Sequence, residues 1–163
     1  MLAGEGNKTT MITESMEARA GKLLNAEAMR IEQRMVDEYL NAAGDPERVW
    51  REKSIAREAG YCDVPVPPGL LTTMQMEGGS PSAYMPEQVH LGGAVDGGGE
   101  WEFYLPVYIG DVIFTTRELL SVKERRGKLG EMIINTFNVT YRNQRSETVA
   151  KGRWSTIRYT TAG

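Results

Sequence analysis

With 163 residues, 40% of them hydrophobic and 25% charged, the chain suits one domain around a single core. A net charge of −3 leaves no basic surplus to hold nucleic acid, and no apolar run has the length to cross a membrane as a helix. One cysteine, Cys62, excludes an internal disulfide and argues against a cysteine-based metal cluster; one histidine, His90, excludes a site that needs two imidazoles from one chain.

Residues 1–13 are small and polar and are expected to be mobile, and one domain is expected over residues 14–163. The N-terminus lacks the charged-then-apolar pattern of an export signal, so a cytoplasmic location is expected. Residues 14–43 are rich in Glu, Ala, Met, Arg and Leu, all good helix formers. Met35, Val36, Tyr39 and Leu40 share one helical stripe, so a helix is predicted, ended by Gly44. Asp45-Pro46 is set to open a second short helix over 47–59, with Val49, Trp50, Ile55 and Ala56 on its apolar side.

Three prolines within positions 65–68 make "YCDVPVPPGLL" a stiff, extended connector. It leads through Gly69 into "LLTTMQM", read as a buried helix. Residues 77–99 carry seven glycines and are predicted to be a loop-rich insert. From residue 100 the period changes to two. "EWEFYLPVY", "DVIFTTRELLSV", "EMIINTFNVTYRN" and "ETVAKGRWSTIRY" read as strands. Ile133, Phe137, Val139 and Tyr141 share one face, with Asn138, Thr140 and Arg142 on the other. The breaks "IGD", "ERRGKLG" and "NQRSE" suit turns, so the last three runs predict consecutive antiparallel strands fed by an earlier one. With no βαβ alternation the class is α+β. An antiparallel sheet curled around one central helix, the helix preceding the long strands, is a hot-dog fold, and its unpaired edge favours dimers.

Three motifs add chemistry to this frame. "YLNAAGDPERVWREKSIA", residues 39–56, sets an aromatic, Tyr39, ahead of Gly44-Asp45 and a small residue, Ala56, after it. "PVPPGLL" enters the central helix through Gly69, and "EWEFYLPVYIGDVI" contains Pro106-Val107-x-x-Gly110-Asp111. Together, over about residues 20–160, these segments resemble the MaoC-like hydratase/dehydratase family, especially its N-terminal-half, FAS1-type dehydratase-like branch. That family's signature reads aromatic, small residues, Gly-Asp-x-Asn-Pro-x-His, five residues, then Ala or Ser. Here Glu47 and Arg48 stand at the Asn and Pro positions, and Trp50 stands at the histidine position. The resemblance implies that one hot-dog unit shapes the acyl pocket while a partner unit brings the complete Asp/His pair.

Hydrating a 2-enoyl thioester requires a water that loses a proton, an α-carbon that gains one, and a stabilised enolate oxygen. The resemblance implies that the Gly69 N–H, at a positive helix end, takes the oxyanion, with Leu70 beside it in contact with substrate. The alternative for Gly69 is a purely conformational role between connector and helix. Asp45 reads either as the group that orients or deprotonates water or as a helix cap. Trp50 reads as pocket lining or core, and His90 as a substitute base or an exposed loop histidine. The basic turn 123–128 is either a phosphate contact or a solvated hairpin tip. Met74, Met76 and Met85 line an apolar tunnel or pack the core. No metal or cofactor is implied beyond an acyl-CoA or acyl carrier protein thioester as substrate.

The expected function is therefore an enoyl-CoA/3-hydroxyacyl-CoA hydratase/dehydratase component. It is expected as a homodimer, or as a heterodimer with a catalytic MaoC-like subunit. The alternatives are a non-catalytic acyl-binding scaffold, or a hot-dog acyl-CoA thioesterase with Asp45 or Glu47 as base or nucleophile. The "PVPPG" and "LPVYIGD" segments favour the hydratase branch.

Overall fold

The chain alternates where the sheet forms and switches to helix where one face must close over it. A computed structural model describes residues 11–77, 91–127 and 130–160. In chain order its elements are α1 (Glu14–Glu17), β1 (Lys22–Arg30), α2 (Gln33–Ala43), a 3-10 turn (Arg48–Trp50), α3 (Lys53–Glu58) and α4 (Pro68–Glu77). The long strands β2 (Gly93–Phe103), β3 (Val112–Gly127), β4 (Gly130–Arg142) and β5 (Thr148–Tyr159) follow. All five strands form one antiparallel sheet in the order β1-β3-β4-β5-β2.

The alternation predicted for β4 holds. Ile133, Phe137, Val139 and Tyr141 are buried on the inner face, and Asn138, Thr140 and Arg142 lie on the other. On β3 the inner face carries Ile113, Thr115, Arg117 and Leu119. Leu70, Leu71 and Met74 of α4 pack against this side, together with Val36 and Leu40 of α2. A helix held in a curled antiparallel sheet is the hot-dog arrangement, and burying the helix on the sheet removes most of the apolar area of both from water. A second cluster joins Met16, Leu91, Leu119, Ile133 and Phe137, with Met11 and Ile12 packed on it. There the Phe137 and Trp154 rings stack with centroids 4.5 Å apart.

Three expectations about the helices and the glycine-rich insert need correction. The helix predicted over 14–43 is three elements. Thr13 caps the one-turn α1 by accepting from the Met16 N–H, and Gly21, at φ 77°, turns the chain into a strand. Residues 22–30 then pair with β3 from Lys22↔Leu119 to Arg30↔Val112. Their helix propensities sum to little against the ladder and the contacts it creates, so tertiary pairing decides. The stripe of Met35, Val36, Tyr39 and Leu40 does belong to a helix, the shorter α2.

Residues 47–59 are likewise two pieces. Arg51 (φ −130°, ψ −28°) and Glu52 (φ −120°, ψ 116°) leave helical geometry between the 3-10 turn and α3. Finally, part of the glycine-rich stretch is strand, because β2 starts at Gly93 and pairs with β5. Gly97 to Gly99 form a bulge where the register steps between Asp96 and Gly99. Gly98 adopts φ 86°, and its N–H donates to Asp96 Oδ1 at 2.8 Å.

The Pro-Val-x-x-Gly-Asp segment is a turn that docks the start of the domain on its sheet. Gly110 supplies φ 94°. Asp111 accepts from the Tyr108 N–H (2.9 Å) and the Gln144 side chain (2.7 Å). The Gly110 N–H donates to the Ile31 carbonyl, and the Ile31 N–H to that of Asp111, each at 2.8 Å.

Candidate functional site

α2 stops because Gly44 takes the left-handed conformation, φ 64° and ψ 27°. The Asp45 N–H then donates back to the Leu40 carbonyl at 3.1 Å, which points the Asp45 side chain forward along the next segment. Asp45 Oδ1 accepts the Glu47 N–H at 2.9 Å. Its Oδ2 accepts the indole N–H of Trp50 at 3.2 Å. Both carboxylate oxygens thus have donors from the turn that Asp45 opens. Trp50 is half-buried and packs against the main core cluster, so it holds the carboxylate and closes the core at once. Asp45 and Trp50 are brought together, and the indole can give a hydrogen bond but cannot accept a proton.

The proline connector reaches α4 through a bridge from Pro65 to Tyr108 and a bond from the Val66 N–H to the Val107 carbonyl at 2.7 Å. The Leu70 N–H donates to the Pro67 carbonyl at 2.9 Å, and the Leu70 side chain is buried. Gly69 lies in the first turn of α4, whose N–H groups lack intrahelical acceptors. A Cβ on Gly69 would collide with the Tyr39 hydroxyl and stand 2.9 Å from Cζ of its ring. The phenol of Tyr39 thus lies against the helix end, and close approach explains why the position is glycine.

Beside this contact an open groove of about 610 Å³ runs between β1, α2 and α4. Met29, Met35, Tyr39, Leu70, Thr73 and Met74 supply its walls, with Glu38 and Arg34 at the rim in an ion pair of 2.7 Å. A smaller cavity of about 320 Å³ is lined by Trp50, Arg51, Asp63 and Tyr108. Burial, then the neighbouring Cys62, raises the Tyr108 hydroxyl above its ordinary range. Lys53 pairs with Asp63 at 2.6 Å and holds that carboxyl below its ordinary range, tying α3 to the connector.

Met74 is buried and reaches the groove. His90, Met85 and Lys128 lie outside the described residues; the rest of the expected basic turn, 123–127, is instead the end of β3, paired with β4 from Lys123↔Ile134 to Gly127↔Gly130, because the ladder continues through the charged run. Among the described residues no group of three or more His, Cys, Asp or Glu could hold a metal, and no helix is long and apolar enough to cross a membrane.

Sequence reasoning passed over a buried polar group on the inner face. Arg117 Nη1 pairs with Glu27 and donates to Asn25 Oδ1 at 3.2 Å, and Nη2 donates to the Met74 carbonyl at 3.1 Å. The signal was available in the period of two, where a charged residue falls in phase with Ile113, Thr115 and Leu119.

The family described as FAS1-like, dehydratase domain region, matches residues 18–152. The chain belongs to this family. FAS1-like dehydratase domains fall among the MaoC-like hot-dog hydratases and dehydratases, as the motifs led us to expect. This FAS1-like domain is 29% identical over 93 residues to a UPF0336 protein of Thermobifida fusca, covering 56% of this chain and 61% of that one. It is 28% identical over 141 residues to a probable enoyl-CoA hydratase alpha subunit of Thermomonospora curvata, covering 77% of this chain and 44% of that one. The chain thus spans less than two thirds of either curated relative. Among solved structures, the ChsH1–ChsH2 complex of Mycobacterium tuberculosis superposes with a TM-score of 0.77. The identity is 21%, covering 90% of this chain and 89% of that one, a likeness of fold.

Proposed function

We propose that this chain is the acyl-binding subunit of a 2-enoyl-thioester hydratase/dehydratase, with proton transfer carried out by a partner that has the complete Asp/His pair. The observation that carries this reading is the Asp45–Trp50 pair. Asp45 stands where the resemblance sets the acid–base position, and both its carboxylate oxygens accept hydrogen bonds while the neighbouring indole cannot take a proton. Losing one general acid–base partner typically lowers a rate by about 10²–10⁴. The groove along Leu70 and Met74 supports an acyl-binding role. The alpha-subunit name of one relative and the two-component complex among the structural neighbours support the partner.

The test is hydration of crotonyl-CoA, followed by loss of the enoyl absorbance. The chain alone is expected to be inactive, and the chain purified with a MaoC-like partner active. In that complex Asp45→Asn should retain most of the activity. Substantial activity of the chain alone, lost in Asp45→Asn, would overturn the division of labour.

A further inference from the structure

The groove between β1, α2 and α4 has apolar walls, and among its described side chains one donor has no partner. Met29, Met35, Leu70 and Met74 offer a hydrogen bond nothing beyond weakly accepting sulfur. The Thr73 hydroxyl is given to the Leu70 carbonyl at 2.7 Å. Arg30 donates to the Gly110 carbonyl at 3.0 Å and Arg34 to Glu38 at 2.7 Å, both from the exposed rim. Tyr39 is the exception. Its hydroxyl has no partner among the described residues, and it is not one of the unpartnered atoms that burial seals from water.

Packing fixes this phenol in place. Tyr39 follows Met35 by one turn on the groove side of α2, and its ring is half-buried against the main core. The hydroxyl rests on the Cα of Gly69, which has no Cβ to push it away. Two helices thus set the position of the oxygen while leaving its proton free to be donated.

An acyl thioester carries one strong acceptor, its carbonyl oxygen, at the head of an apolar chain. In hydration, water gives a proton to the acid–base pair and its oxygen bonds to the β-carbon. The π pair moves through the α-carbon onto the carbonyl oxygen, and returns when the α-carbon takes a proton. Charge on the carbonyl oxygen peaks between these events, so a fixed neutral donor there stabilises the transition state more than the substrate. We propose that the Tyr39 hydroxyl donates to the thioester carbonyl oxygen, with the acyl chain laid along Met35, Leu70 and Met74. This subunit then polarises the substrate on which the partner's acid–base pair acts. The inference rests on the acyl-binding reading above.

Tyr39→Phe, in the chain copurified with its partner, tests it by three readouts. The melting temperature should match the parent's, because the lost hydroxyl has no partner; a clear fall would show that it has one and would overturn the premise. With crotonyl-CoA, kcat should drop at least about tenfold while KM stays within about threefold. Infrared difference spectra with bound butyryl-CoA, labelled at its carbonyl carbon and unable to react, should show the carbonyl stretch at higher frequency in the variant. A band that does not move overturns the donor whatever kcat does, and leaves the acyl-binding reading standing. A band that moves with kcat unchanged overturns the role in the transition state. Failure of the complex to bind either acyl-CoA overturns the acyl-binding reading and this inference together.

Discussion

Asp45 and Gly69 show how single residues take their roles from neighbours. The bond from Trp50 to Asp45 is one of two that hold the turn after α2. Trp50→Phe keeps the ring in the core but removes the donor, and should lower stability by about 0.5–1.5 kcal/mol, read as a fall in melting temperature. Gly69→Ala forces a methyl into the Tyr39 phenol, so a loss of about 1–3 kcal/mol is expected. In a Tyr39→Phe background part of that loss should return, because the hydroxyl is gone while the ring carbon at 2.9 Å stays. Full additivity of the two substitutions would show that they do not meet. Tyr141 predicts a pH dependence. Its folded-state pKa is raised by burial to about 12 from an ordinary value of 10.0, so the folded state holds the proton more tightly. The resulting stability is complete below about pH 10 and is lost as pH climbs through about 12. Thermal melts across that window should fall more steeply for the parent than for Tyr141→Phe.

At the scale of elements, β1 is the clearest case of context overriding composition. The sequence 22–30 lacks the branched and aromatic residues of the other strands, yet it forms the edge beside β3. As an edge strand it gives only alternate N–H groups to its neighbour. The Ile31 N–H donates to the Asp111 carbonyl and sets the phase. Hydrogen exchange should therefore find the amides of Asn25, Glu27, Met29 and Ile31 slow and those of Ala26, Ala28 and Arg30 fast. A continuous block of slow amides over this stretch would mean a helix instead. β2 and β5 were legible from their alternation, but the start of β2 was not. Its glycines give no period, and Gly99 there, like Gly152 on β5, lies under the Trp101 ring.

For the whole molecule the open feature is the β2 edge. Among the described residues β2 pairs on one side only, with β5, and Phe103, Tyr104 and Leu105 after its bulge are 41–48% exposed. An unpaired edge with adjoining apolar side chains is a surface for another chain. If the proposed partner docks here, Phe103→Lys with Leu105→Glu should weaken the complex at least about tenfold in a sedimentation or titration measurement. The same changes leave the monomer folded, because these side chains lie outside the core. An unchanged complex would place the partner elsewhere.

By itself the sequence determined the class and most of the strands. A period of two with turn signals between the runs is a local property, and it needs no knowledge of the partner strand. It also determined the family, because the Gly-Asp break, the proline connector and the Pro-Val-x-x-Gly-Asp turn are short-range motifs whose backbone demands survive isolated reading. Tertiary structure alone decided that residues 22–30 are a strand, since only pairing with β3 outweighs their helix propensity. It alone decided that Gly69 faces Tyr39, and that Asp45 gives both oxygens to its own turn. It also gathered Trp101, Arg117 and Tyr141, 40 positions apart at the extremes, into one buried layer. Those pairings depend on register between distant strands, and register is set by the whole sheet rather than by any window of the chain.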